Sequence, residues 1–125
     1  MKKVISTDKA PAAIGPYSQA VSANGFLFAS GQAPFCPKTG ETVGTDVTGQ
    51  AEQVCKNIGE ILKANGLTFE DVVKTTCFIT DMKDFGAFNE VYAKYFVSKP
   101  ARSCVAAKEL PKGILCEVEI IAVTK

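Results

Sequence analysis

The sequence predicts an α/β fold of the α+β kind: a mixed β-sheet with two helices packed on one face, in the order β-β-β-α-β-α-β-β, forming one domain over residues 1–125. Three observations lead there. Asn24-Gly25 lies between two apolar-rich runs, two stretches carry apolar residues at helical spacing with a β-branched run between them, and every second residue from Ile114 to Ala122 is apolar. A chain of 125 residues can build one real core but is short for two.

Taken in order, Val4-Ile5 is a short first strand, and Ile14-Gly15-Pro16 turns the chain into a second. Asn24-Gly25 supplies the positive φ angles of a type I′ turn, so Ala23 pairs with Phe26 and Gln19 comes opposite Ser30. Tyr17 and Ser30 thus share the open end of the hairpin. Residues 34–44, rich in Pro, Gly and Thr, form a loop. Asp46 or Thr48 caps a helix bearing Ala51, Val54, Cys55, Ile58, Ile61 and Leu62, which ends at Asn65-Gly66. Residues 72–80 are a strand with Val73, Thr75, Cys77 and Ile79 on one face. Asp84 can cap a second helix carrying Phe85, Phe88, Val91, Tyr92, Tyr95 and Phe96, stopped by Pro100, and two further strands meet at Pro111-Lys112-Gly113.

Composition narrows the chemistry. There is no histidine, which removes Ser-His and Cys-His catalysis and leaves acid–base work to carboxylates, Lys, Tyr, Cys or water. Five cysteines, Cys36, Cys55, Cys77, Cys104 and Cys116, show no C-x-x-C spacing and read as reduced thiols, most of them in the core, rather than a disulfide framework or a zinc site. A net charge of +1 without a basic run gives no support for binding nucleic acid. No stretch has the length and apolarity of a membrane span and the first residues have no signal-peptide apolar core, so a cytoplasmic location is the expectation.

The last strand raises the functional question. Ile114, Cys116, Val118, Ile120 and Ala122 form one apolar face that should meet the helices, while Leu115, Glu117, Glu119, Ile121 and Val123 form the other. If residues 110–113 close a hairpin, Glu109 pairs with Ile114, and Arg102 and Cys104 fall on the glutamate side. A loop one residue longer or shorter reverses this. Two helices cannot cover both faces of the sheet, so a part-apolar, part-charged face points to burial by another copy of the chain.

"AIGPYSQAV" at 13–21, "FASGQAP" at 28–34, the Asn89-bearing second helix, and "PARSCV" followed by "CEVEI" together closely resemble the RidA family, also called YjgF or L-PSP. The resemblance spans essentially the whole chain. It implies a chorismate-mutase-like fold and a homotrimer with sites between subunits. It also implies hydrolysis of reactive 2-imino or 2-aminoacrylate acids to 2-keto acids and ammonia, without metal or cofactor. Carried over by position, Arg102 is the carboxylate-binding arginine and Glu117 the water-activating acid, with Glu119 its rival. Tyr17 closes the pocket from a neighbouring chain, Ser30 and Gly31 form its polar floor, Asn89 is a cleft residue and Cys104 the pocket thiol. Cys116 stands where an aliphatic residue is common, and Ser18 follows Tyr17; both bear on substrate preference. Two other functions stay open: an endoribonuclease or translation inhibitor, and a non-catalytic trimer that binds small carboxylates or other proteins.

Overall fold

The computed structural model describes all 125 residues. Six strands form one mixed sheet: β1 (Lys3–Ile5), β2 (Ala20–Ala23), β3 (Phe26–Gln32), β4 (Val72–Ile79), β5 (Ala101–Ala106) and β6 (Cys116–Val123), in the spatial order β1-β2-β3-β6-β4-β5. Helices α1 (Val47–Ala64) and α2 (Phe85–Tyr95) pack on one face. No helix is long and apolar enough to cross a membrane.

The β2–β3 hairpin turns on Asn24 (φ 52°) and Gly25 (φ 83°), with Ala23 paired to Phe26 as the dipeptide demands. Asp46 caps α1 by accepting from the Gly49 amide at 2.9 Å. The helix ends in a Schellman turn in which Leu67 N donates to Leu62 O and Gly66 N to Lys63 O, with Gly66 at φ 71°. The apolar face of α1, from Val47 through Ile58 to Leu62, closes over Leu27, Ala29, Val118, Ile120 and Ala122 of the sheet. Three buried amides tie loops to this core. Gln19 holds residues 7–11 through Thr7, Ala10 and Pro11, Asn57 holds the Ala33 and Phe35 carbonyls at 3.0 Å each, and Gln50 bridges Gly44 O and Leu115 N. Every one of these partners is a loop backbone group, so each buried amide is satisfied while it ties a loop to the core.

Three expectations need correction. β5 does not pair with β6: it lies at the sheet edge, parallel to β4, with Arg102 opposite Thr75 and Cys104 opposite Cys77. β6 instead inserts between β3 and β4, antiparallel to both. The parallel pairing makes β4-α2-β5 a crossover unit, and because β4 lies between β5 and β6 the connection through residues 107–115 passes from the edge strand over β4 instead of closing a hairpin. Val73 does not face the helices, because a bulge between Val72 and Lys74 turns it outward and Val72 takes the core position. Asp84 makes no cap; Asp81 accepts from Lys83 N in the 3₁₀ turn that leads into α2, and α2 ends at Tyr95, well before Pro100.

Candidate active site

The corrected pairing separates the predicted residues into two groups on opposite faces of the sheet. Arg102 and Cys104 share the face of their partners Thr75 and Cys77, which are fully buried toward the helices. Glu117 and Glu119 pair with Phe78 and Thr76 and point the other way. Arg102 and Glu117 of one chain therefore do not meet across a shared face.

The first group is built on α2. Phe85, Asn89 and Tyr92 stand at i, i+4 and i+7, one stripe of the helix, and all three touch the Arg102 side chain. Arg102 Nη1 donates to Asn89 Oδ1 at 2.7 Å, and its Cζ lies 4.7 Å from the Tyr92 ring centroid and 5.5 Å from that of Phe85. The two ion pairs of the chain, Lys83 with Asp81 and Lys94 with Glu52, leave Arg102 without a carboxylate. The guanidinium keeps donors beyond the one given to Asn89, so it can take an external carboxylate in the two-point manner its fork allows. Arg102 and Asn89 line a cavity of about 540 Å³ with Tyr92, Phe96, Val97 and Lys99. Cys104, half-buried, has its thiol pushed up by burial more than Arg102 pulls it down, so it is not an activated nucleophile.

The second group is built on a bulge. Between Ala29 and Gln32, β3 spends three steps against two on β6, and Ser30-Gly31 takes up the difference. Ser30 is held there by its amide to Gln19 O at 2.9 Å and its hydroxyl to Ser18 O at 2.6 Å. The Gly31 Cα faces the Glu117 carboxyl group, and Tyr17, Gly31 and Glu117 line a cavity of about 240 Å³ with Phe35 and Lys112. Tyr17 thus shares a cavity with Glu117 of its own chain, whereas Arg102 lines a different one. Burial raises the Glu117 pKa above the ordinary glutamate range, and the nearby charge of Glu119 adds to the rise. Glu119 is exposed and lines neither cavity, which separates the two acids as sequence could not. Cys116 is buried among helix-facing residues, its thiol pushed up to about 12, and it lines neither cavity.

Sequence reasoning did not assign Lys112, Phe85 or Tyr92 to a site. Lys112 adopts φ 56° beside Pro111 and Gly113, with its Nζ 5.0 Å from the Phe35 ring centroid. Tyr92 and Phe85 read as core aromatics because a helical stripe looks the same whether it packs on apolar side chains or on a guanidinium. Nowhere do three or more Cys, Asp or Glu side chains gather as a metal ion would require.

Comparison with known proteins places the chain in a family. The family model described as Endoribonuclease L-PSP matches residues 7–124. The chain belongs to the L-PSP, or RidA, family. Within the family, it is 54% identical over 123 residues to a RutC family protein of Pyrococcus horikoshii, covering 98% of each. It is 52% identical to the mouse 2-iminobutanoate/2-iminopropanoate deaminase, over 98% of this chain and 92% of that protein. Among solved structures, Escherichia coli TdcF with bound serine superimposes with a TM-score of 0.93 at 46% identity, over 98% of this chain and 99% of that one.

Proposed function

We propose that this protein hydrolyses small 2-imino acids, and the 2-aminoacrylate-type enamines that tautomerise to them, to 2-keto acids and ammonia. The observation that carries this reading is Arg102: a guanidinium hydrogen-bonded to Asn89, with no carboxylate partner in its own chain. The name of the mouse relative supports the reaction class, and the serine held by TdcF presents the α-carboxylate and α-nitrogen that a 2-imino acid also carries.

In this mechanism Arg102 binds the substrate carboxylate and so fixes C2, with Asn89 beside it. An enamine is first protonated at C3, by Glu117 or solvent. Glu117 accepts a proton from water as the water oxygen adds to C2 of the protonated imine, then delivers it to the nitrogen of the carbinolamine. The C2–N bond breaks as the carbinolamine hydroxyl gives its proton to the Glu117 carboxylate or to solvent, leaving the 2-keto acid and ammonia. A raised pKa suits Glu117 to both halves of this exchange. Tyr17, Ser30 and Gly31 shape the Glu117 side, and Cys104 lies beside Arg102 as a neutral thiol.

Because the two groups lie on opposite faces, a complete site takes Arg102 from one copy and Glu117 with Tyr17 from the next, which a cyclic homotrimer supplies. The outer face supports such an assembly: Phe26, Phe28 and Val123 are 40%, 45% and 42% exposed there, beside Val21 and Ile121. The endoribonuclease of the family's name finds less support, since a chain without histidine and with a net charge of +1 has little with which to bind and cleave a phosphodiester.

The test is ammonia release from freshly generated 2-iminobutanoate. Arg102→Ala should lower kcat/KM by about 10²-fold or more, through loss of two charged hydrogen bonds, in a protein that still folds. Undiminished activity in that variant rules the assignment out.

A further inference from the structure

Asn89 and Arg102 belong to the reading above, but Tyr92 has no part in it, and its surroundings are more constrained than core packing alone requires. Its hydroxyl lies 2.7 Å from Thr75 Oγ1, a group fully buried in the middle of β4. One face of its ring stacks on Phe96, with centroids 4.3 Å apart at 22°, and the Arg102 Cζ stands 4.7 Å from the ring centroid. Thr75 is also the strand partner of Arg102. The contacts close a loop: the β4–β5 ladder sets Arg102 against Thr75, the Thr75 hydroxyl fixes Tyr92, and Tyr92 returns to the Arg102 guanidinium. A long arginine side chain at an edge strand loses its preorganisation if the surface beneath its plane can move, and two-point carboxylate binding depends on that plane.

We propose that Tyr92 is a positioning residue: anchored by Thr75, it holds the plane of the Arg102 guanidinium for two-point capture of the substrate carboxylate. The proposal rests on the reading of Arg102 as the carboxylate-binding group. Asn89 fixes one nitrogen and leaves rotation about that bond, which the Tyr92 ring removes.

The test uses the full-length protein, with 2-oxobutanoate binding measured by calorimetry and turnover of 2-iminobutanoate measured in parallel. Tyr92→Phe and Thr75→Val each delete one side of the hydrogen bond with nearly unchanged volume, and Thr75→Ser keeps the hydroxyl. Tyr92→Phe and Thr75→Val should each weaken 2-oxobutanoate binding about three- to tenfold, the worth of one neutral hydrogen bond. KM should rise by a similar factor and kcat should change less, while Thr75→Ser binds as the unmodified protein does. The double variant Tyr92→Phe/Thr75→Val should be no weaker than the worse single one, because the same bond cannot be lost twice. Should Tyr92→Phe fail to fold, the Thr75→Val and Thr75→Ser pair makes the same comparison with Tyr92 intact. Unchanged binding in both Tyr92→Phe and Thr75→Val, with Arg102→Ala unable to bind, overturns the role of Tyr92 and leaves that of Arg102 standing. Equal loss in Thr75→Ser and Thr75→Val also overturns it, since the hydroxyl would then not matter. Full binding by Arg102→Ala removes the reading beneath the proposal and the proposal with it.

Discussion

The Glu117 carboxyl group of β6 lies against the bare Cα of Gly31 on β3: a Cβ placed there would stand 2.9 Å from Glu117 Cδ and closer still to a carboxylate oxygen. Gly31 has no left-handed φ to protect, so the constraint is the neighbouring carboxylate rather than the backbone. Gly31→Ala should therefore fold but displace Glu117. A displacement of about 1 Å of an acid that aims water at C2 lowers kcat by about 10²-fold, read from initial rates on 2-iminobutanoate with KM less affected. Wild-type kcat in Gly31→Ala would show that the position of Glu117 does not govern the chemistry.

The same carboxyl predicts a pH dependence. Burial, and then the negative charge of Glu119, hold the Glu117 pKa above the usual carboxylate range. A general base works in its deprotonated form, so kcat/KM should rise with pH through that raised value. Glu119→Gln removes the like charge, lowers the Glu117 pKa and moves the acid limb of the profile to lower pH. Glu117→Gln should abolish that limb along with most of the activity. An acid limb that stays in place in Glu119→Gln would mean that the titrating group is not Glu117.

Much of this arrangement could be read from residue order, and the part that could not has an identifiable cause. Asn24-Gly25 dictates its own turn, and the unbroken apolar set Ile114, Cys116, Val118, Ile120 and Ala122 marks the helix-facing side without reference to any partner. Strand partnership is a different matter. Periodicity says which way Arg102 points relative to Ser103, but not that β5 lies beside β4 rather than β6, so the side shared with Glu117 could not be fixed. The bulge that turns Val73 outward is silent in a β-branched run for the same reason. Tyr92 and Phe85 were hidden by their chemistry: an aromatic ring serves a core and a guanidinium equally well.

Glu117 should also cost stability at neutral pH. Its folded pKa is raised above the unfolded value, so its contribution is most favourable below the unfolded pKa, near 4, and is lost as pH rises through the folded one. Glu117→Gln carries no charge at any pH and should melt above the unmodified protein at pH 7, by a few degrees at equal protomer concentration. The gap should close as pH falls toward about 4, where both side chains are neutral. A variant that melts lower at pH 7 would mean that Arg102 of the neighbouring copy, across the shared site, compensates the Glu117 carboxylate more than burial penalises it.

Sharing of the site between copies makes the sharpest prediction. Arg102→Ala and Glu117→Gln each disable every site in a homogeneous assembly, but on opposite sides of the sheet. In a cyclic trimer whose sites combine Arg102 of one copy with Glu117 of the next, unfolding and refolding an equimolar mixture restores both groups at about a quarter of the sites, if exchange is random. The refolded mixture should then release ammonia at about one quarter of the wild-type rate per chain, while each variant refolded alone stays inactive. Phe28→Asp in both parents buries a charge in the apolar outer face, should lower the mass seen by sedimentation, and should prevent recovery. A refolded mixture that sediments as a mixed assembly yet remains inactive would place Arg102 and Glu117 in separate sites.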